Sequence, residues 1–192
     1  MNKPEQLIIS PRRRFLFDGL CLTLSGAAIG LLAGKPRLAL ATEAGSEAQQ
    51  TDIRILGTAW LAEREAIAAY QLGADSGLLQ AEAFKVAVSF QGHHREHAEL
   101  LAGTIDQLGG KLPASPADYA FPVDRLNNQA DVLAFAAGLE RGAVSAYAGA
   151  IPLFDNRELA SAAASILADE AMHWAVLRSA LGMDPVPGAF FS

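Results

Sequence analysis

The chain carries an internal repeat, and the repeat limits what it can fold into. Residues 61–70 read LAEREAIAAY and residues 138–147 read GLERGAVSAY. Aligned on Glu63 and Glu140, both give Glu-x-x-Ala-(Ile/Val)-x-Ala-Tyr, ending at Tyr70 and Tyr147. A histidine follows each glutamate at a matched distance: His97 comes 34 residues after Glu63, and His173 comes 33 after Glu140. Such agreement marks a duplicated supersecondary unit. Each half of the chain therefore consists of one element bearing a Glu and a second bearing a His.

Periodicity identifies those elements as helices. Apolar residues recur every three or four positions, and no stretch alternates as a strand would. A first helix is expected over 52–73, with Ile53, Leu56, Trp60, Ile67 and Tyr70 on one stripe, ending at the turn GADSG. A second runs over 79–108 and stops at LGGKLP, where Gly109, Gly110 and Pro113 break it. A third spans 129–151, capped by Asn127 or Asn128, and a fourth spans 156–181, closing at Gly182 with Pro185 and Pro187 beyond. The connections run short, long, short. The middle one, containing PASPADYAFPVD, is roughly eighteen residues and far longer than an ordinary bundle connection needs. The expected fold is an all-α four-helix bundle of two antiparallel helical hairpins joined by a long crossover.

Helical phase decides which polar residues face the core. In the second helix, Ala83, Ala87, Phe90, Leu101, Ile105 and Leu108 form the stripe, and its stepping lands on His94 and His97. His93, Arg95, Glu96 and Glu99 fall to the sides or the back. In the fourth helix Leu159, Ala163, Ile166, Leu177 and Leu181 leave a gap filled by Glu170 and His173. Glu63 interrupts the stripe between Trp60 and Ile67, and Glu140 the one between Ala136 and Val144. Three inward carboxylates and three inward imidazoles, with no inward Lys or Arg at those phases, need a compensating charge. A divalent first-row cation suits such a mixed donor set.

Glu63, Glu140 and the stretch EAMH (Glu170 to His173) resemble the ligand pattern of the ferritin-like di-iron carboxylate superfamily, over residues 52–181. In that pattern two helices give one Glu each and the other two give a Glu-x-x-His each. The resemblance implies a ferritin-like bundle whose metal ligands are Glu63, His94, His97, Glu140, Glu170 and His173. It makes Glu63 and Glu140 terminal ligands and Glu170 a bridging one, with His97 and His173 completing the shell. It implies one or two iron or manganese ions and redox work, such as ferrous-ion oxidation or peroxide handling. The sequence departs from the pattern at one position: His94 stands where the second bridging Glu belongs. The shell then carries −3 rather than −4, which admits a mononuclear or asymmetric site. Three imidazoles also favour zinc more than four carboxylates would, so a non-enzymatic scaffold or stress protein with a degenerate or structural zinc site is the alternative. His93 reads as a residue of the surface or the periphery of the site. Tyr70 and Tyr147 read first as core residues with satisfied hydroxyls, and otherwise as donors to the ligands or redox-active phenols.

The N-terminus reads as an address. Arg12 and Arg13 followed by Phe15 and Leu16 resemble the twin-arginine export signal. A weakly apolar, Gly- and Ala-rich stretch follows to Gly34, and Ala39 and Ala41 predict cleavage after Ala41. The expected organisation is a signal peptide over 1–41, a linker over 42–51, the bundle over 52–183 and a tail over 184–192. The expected location is periplasmic or otherwise exported, by the twin-arginine machinery, with no stable membrane anchor after cleavage. The full chain holds fifteen basic and twenty-one acidic residues. Six basic and two acidic ones leave with the signal, so the mature part carries a formal charge of −10. That excludes nucleic acid as a partner, which calls for a basic face, and suits metal ions as partners. Cys21, the single cysteine, leaves too, excluding disulfides, iron–sulfur clusters and thiolate sites from the mature chain. Nothing in the pattern reports assembly, and a homo-oligomer is as compatible with it as a monomer.

Overall fold

The computed structural model describes residues 47–191; the expected export signal and cleavage point lie outside them. Four long helices account for most of this region: α1 (Glu47–Asp75), α2 (Ala81–Gln107), α3 (Gln129–Ala150) and α4 (Arg157–Ala180). Single 3-10 turns occur at Val123–Arg125 and Ile151–Leu153, and there is no strand among the described residues. α1 starts at Glu47, six residues before Ile53, the first residue of its apolar stripe, because residues 47–52 are polar or small and leave no apolar period. Asn128 rather than Asn127 caps α3: its side chain accepts from the Asp131 amide, while Asp131 accepts from the Asn127 amide.

Hydrogen bonds between helix ends fix the topology. Near the start of α1, the Gln49 side chain donates to the Leu108 carbonyl just past the end of α2. The Asp52 carboxylate accepts from the Asp155 and Asn156 amides at 3.0 and 3.1 Å, just before α4. At the other end the Gln80 amide, which precedes α2, donates to the Gln129 side chain at the start of α3. So α1 and α4 run one way, and α2 and α3 the other. α2 finishes at one end of the bundle and α3 begins at the opposite end. The crossover over 108–128 must therefore travel the length of the bundle, roughly 35–40 Å for helices of this size. That distance is why the connection is long. α1 packs along α2, α3 along α4, and α1 meets α3 between the hairpins.

The core is layered. One apolar cluster, near the start of α1, includes Leu56, Leu101, Ile105, Leu159 and Ile166. A second, towards the opposite end, includes Ala87, Phe90, Leu133, Ala136 and Leu177. Tyr147 belongs to the first and Tyr70 to the second. Between these two layers every helix contributes polar side chains to the interior.

Candidate metal centre

That middle layer holds Glu63 from α1, His94 and His97 from α2, Glu140 from α3, and Glu170 and His173 from α4. The structure brings all six residues expected from the sequence into one cluster. Five of them are at most 3% exposed, and His97 is largely covered. Two overlapping sets have donor atoms all within 4.8 Å of one another: Glu63, His94, His97 and Glu170; and His94, Glu140, Glu170 and His173. His94 and Glu170 are common to both. The His94 ring stands between the half-sites, with Nδ1 2.8 Å from Glu63 Oε2 and Nε2 3.3 Å from Glu140 Oε1. Glu170 offers one oxygen to each side, Oε1 lying 3.1 Å from His97 Nδ1 and Oε2 3.6 Å from His173 Nδ1.

The donor set fits a cation. Glu140 Oε2, both Glu170 oxygens, His97 Nδ1 and His173 Nδ1 are buried and make no hydrogen bond of good geometry. Orphaned acceptors in an apolar interior are costly. A metal ion at 2.0–2.2 Å would satisfy several at once, as imidazole and carboxylate ligands do for first-row divalent ions.

Protons provide the other form of compensation. Burial pushes the His94 imidazole down, but bonds to Glu140 and Glu63 outweigh it and hold it near 10. Burial likewise opposes, and Glu170 and Glu63 overcome it, in raising His97 to about 9. His173 rises to about 11 against its burial, through Asp169, Glu140 and Glu170. Burial raises the Glu63 carboxyl, yet the bonds from His94 and His97 win and hold it at about 2. Glu140 is driven below the ordinary carboxylate range, its burial outweighed by His173 and His94. Glu170 goes the other way, raised by burial and by its acidic neighbours despite His173 and His97.

The two repeat tyrosines cross over. Tyr147 on α3 donates to Glu63 Oε1 on α1 at 2.6 Å, and Tyr70 on α1 donates to Glu140 Oε1 on α3. Each hairpin thus orients the glutamate of the other. Burial, then the adjacent carboxylate, pushes both phenols well above their ordinary value, so they remain donors. Phe90 stacks on His173 with ring centroids 3.9 Å apart.

Helical phase does not single out Asp169, because the residue lies beside the apolar stripe of α4. It precedes Glu170 and sits one helical step off that stripe. Its Oδ2 lies 3.2 Å from His173 Nε2 and 3.5 Å from His97 Nε2, on the outer side of both rings. His93, expected at the periphery, is there: half exposed, with Nδ1 3.1 Å from Asp169 Oδ2. Two signals in the sequence could have exposed Asp169, its i, i+4 spacing to His173 and its place beside Glu170.

A family model described as a ferritin-like domain matches residues 51–183. Among solved structures, a conserved hypothetical protein from Mycobacterium tuberculosis is similar at a TM-score of 0.65 and 19% identity, covering 75% of this chain and 99% of that one. A protein from Bacillus anthracis strain Ames, described among ferritin-like, diiron-carboxylate proteins, is similar at a TM-score of 0.61 and 22% identity, covering 71% of this chain and 99% of that one. No curated protein matches the sequence.

Proposed function

The chain belongs to the ferritin-like domain family, and from that premise we propose that it is an exported metalloprotein binding one or two iron or manganese ions at the bundle centre. The observation that carries this reading is the pair of buried donor sets sharing His94 and Glu170. Iron or manganese would supply a change of oxidation state there, which suits ferrous-ion oxidation or peroxide handling. The protein's own part is to hold the donors in place. Tyr70 and Tyr147 hold the two terminal carboxylates, Asp169 turns the Nδ1 atoms of His97 and His173 inward, and the apolar layers close both ends. Metal content of protein expressed with iron and manganese in excess, and purified without chelator, tests the reading. Bound metal that disappears in Glu140→Ala plus His173→Ala supports it; a metal-free wild type sinks it.

A second reading is favoured by His94 in a bridging position: three imidazoles suit a structural zinc in a non-enzymatic scaffold. Oxygen uptake on adding ferrous ion to metal-stripped protein separates the two, because a scaffold consumes no more than the protein-free control. The export part of the proposal rests on Arg12, Arg13, Phe15 and Leu16. Replacing Arg12 and Arg13 together by Lys should retain the protein in the cytoplasmic fraction at its uncleaved size. Unchanged export would remove the twin-arginine assignment.

A further inference from the structure

We propose that His93, Asp169 and the outward nitrogen of His173 form an outer cation site that loads the buried centre. The inference rests on the metal-binding reading above and adds a site and an order of events.

Three donor atoms converge between α2 and α4, on the side of the centre where His93 and Asp169 are partly exposed. His93 Nδ1 lies 3.1 Å from Asp169 Oδ2 and 2.8 Å from His173 Nε2, and those last two are 3.2 Å apart. A cation bound at about 2.05 Å with ligands at right angles separates neighbouring donors by about 2.9 Å. The triangle therefore has the size of one face of a metal's coordination shell. Two imidazoles and one carboxylate on one face form a donor set for divalent iron and its neighbours. His97 Nε2, 3.5 Å from Asp169 Oδ2, flanks the same oxygen.

The placement of this triangle supports a loading role. His93 and Asp169 have side chains 42% and 24% exposed, whereas the inner carboxylates are at most 3% exposed. In both axial directions the centre is closed by apolar layers: cavities of about 20 Å³ lie among residues such as Leu56 and Ile166 or Leu133 and Leu177, and a larger one of about 440 Å³ at the Gln80–Gln129 end is bounded by Leu133 and Leu177. A hydrated ion crossing those layers would lose its water with no polar partner in return. The His93–Asp169 face is a polar way in.

His173 links the two sites. Its Nε2 is a corner of the outer triangle, and its Nδ1 lies 3.5 Å from Glu140 Oε1 and 3.6 Å from Glu170 Oε2. A neutral imidazole has one free lone pair, so the ring serves one cation at a time. The outer site is complete only while the inner nitrogen of His173 carries the proton. As the ion passes from Nε2 to Nδ1, the ring proton makes the opposite move, ending on Nε2 where Asp169 accepts its hydrogen bond. The ring is neutral at both ends of the transfer, its second proton having left to solvent when the cation first bound, and the filled centre disables its own loading site.

Rapid mixing of chelator-stripped protein with cobalt(II), followed by visible absorption, with final cobalt measured by elemental analysis, tests this. His93→Ala should reach the wild-type cobalt content but load at least about tenfold more slowly, the scale that losing a partner beside a metal ligand carries. His93→Asp, which returns a donor, should recover part of the rate. Circular dichroism verifies that these surface variants are folded. Loading of the Ala variant within twofold of wild type overturns the outer site and leaves Asp169 as a positioning residue only. A slow Asp variant, no faster than Ala, also overturns it, as does loss of cobalt at equilibrium in the Ala variant, which would put His93 in the centre itself. A wild type that takes up no cobalt fails the metal-binding reading instead, and this proposal with it.

Discussion

Tyr70 and Tyr147 show how single residues hold the centre in register. Each hydroxyl is buried and reaches the glutamate of the opposite hairpin, so each Glu presents a second oxygen to the interior at a fixed angle. Tyr147→Phe leaves Glu63 Oε1 without its donor, at a cost of about 1–3 kcal/mol for the unmet acceptor. Metal affinity should fall about 10–100-fold, as it does when a group orienting a ligand is lost. Tyr70→Phe should give a matching loss through Glu140. Manganese titration with thermal melting measures both effects, and wild-type affinity in either variant would show that the hydroxyls serve packing alone. The repeat itself was legible in the sequence, and so was the inward phase of His94 and His97. The cross-bonding was not, because it joins residues 70 and 84 positions apart that alignment places in separate units. Asp169 was missed for a different reason. Helical phase marks polar residues that interrupt the apolar stripe, and Asp169 acts from beside it.

Among the elements, α1 does the most to join the hairpins, and Asp52 is its clearest device. The residue is 3% exposed, and its carboxylate accepts two backbone amides just ahead of α4. A carboxylate at a helix N-terminus also favours the helix dipole. Asp52→Ala strands those amides in a covered setting and should cost about 2 kcal/mol, within the range for hydrogen bonds to a charged acceptor. The loss is read as a lowered denaturant midpoint, and an unchanged midpoint would mean that water replaces the carboxylate freely. Near the same end, Gly110 follows α2 where an added Cβ would come within 2.8 Å of Ile53 Cγ2 and 3.0 Å of Ile105 Cγ2. That approach explains why the second residue of the Gly109–Gly110 pair is small, while Gly109, at φ 72°, supplies the left-handed turn that ends the helix. The four helices and their order were readable because the stripes are long and the breakers are Gly and Pro. The first turn of α1 was not, since its residues, Glu47 to Gln50, are polar or small and carry no apolar period.

At the scale of the whole molecule, the polar layer between two apolar ones makes stability depend on what balances the buried charges. Without a cation, imidazolium groups face carboxylates. The folded imidazoles sit at about 9 to 11 against an ordinary 6.5, so their contribution is fully present below about 6.5 and is lost as pH rises through 9 to 11. Glu63, held at about 2 against 4.5, contributes above about 4.5 and loses that contribution as pH falls towards 2. Glu170, raised by burial, works against this on the acid side. Metal-free protein should therefore be most stable between about pH 4.5 and 6.5. A bound divalent ion takes over the role of the protons, and its affinity rises with pH because the ligands must release them. It also stabilises the fold by mass action, since a preformed site exists only in the folded chain. The difference in melting temperature between manganese-loaded and chelator-stripped protein should then be small at pH 5.5, larger at pH 7 and larger again at pH 8.5. Paired calorimetric scans at those three pH values measure it. A gap that stays constant with pH would mean that metal and protons do not compete for His94, His97 and His173, and that the cation, if bound, sits elsewhere.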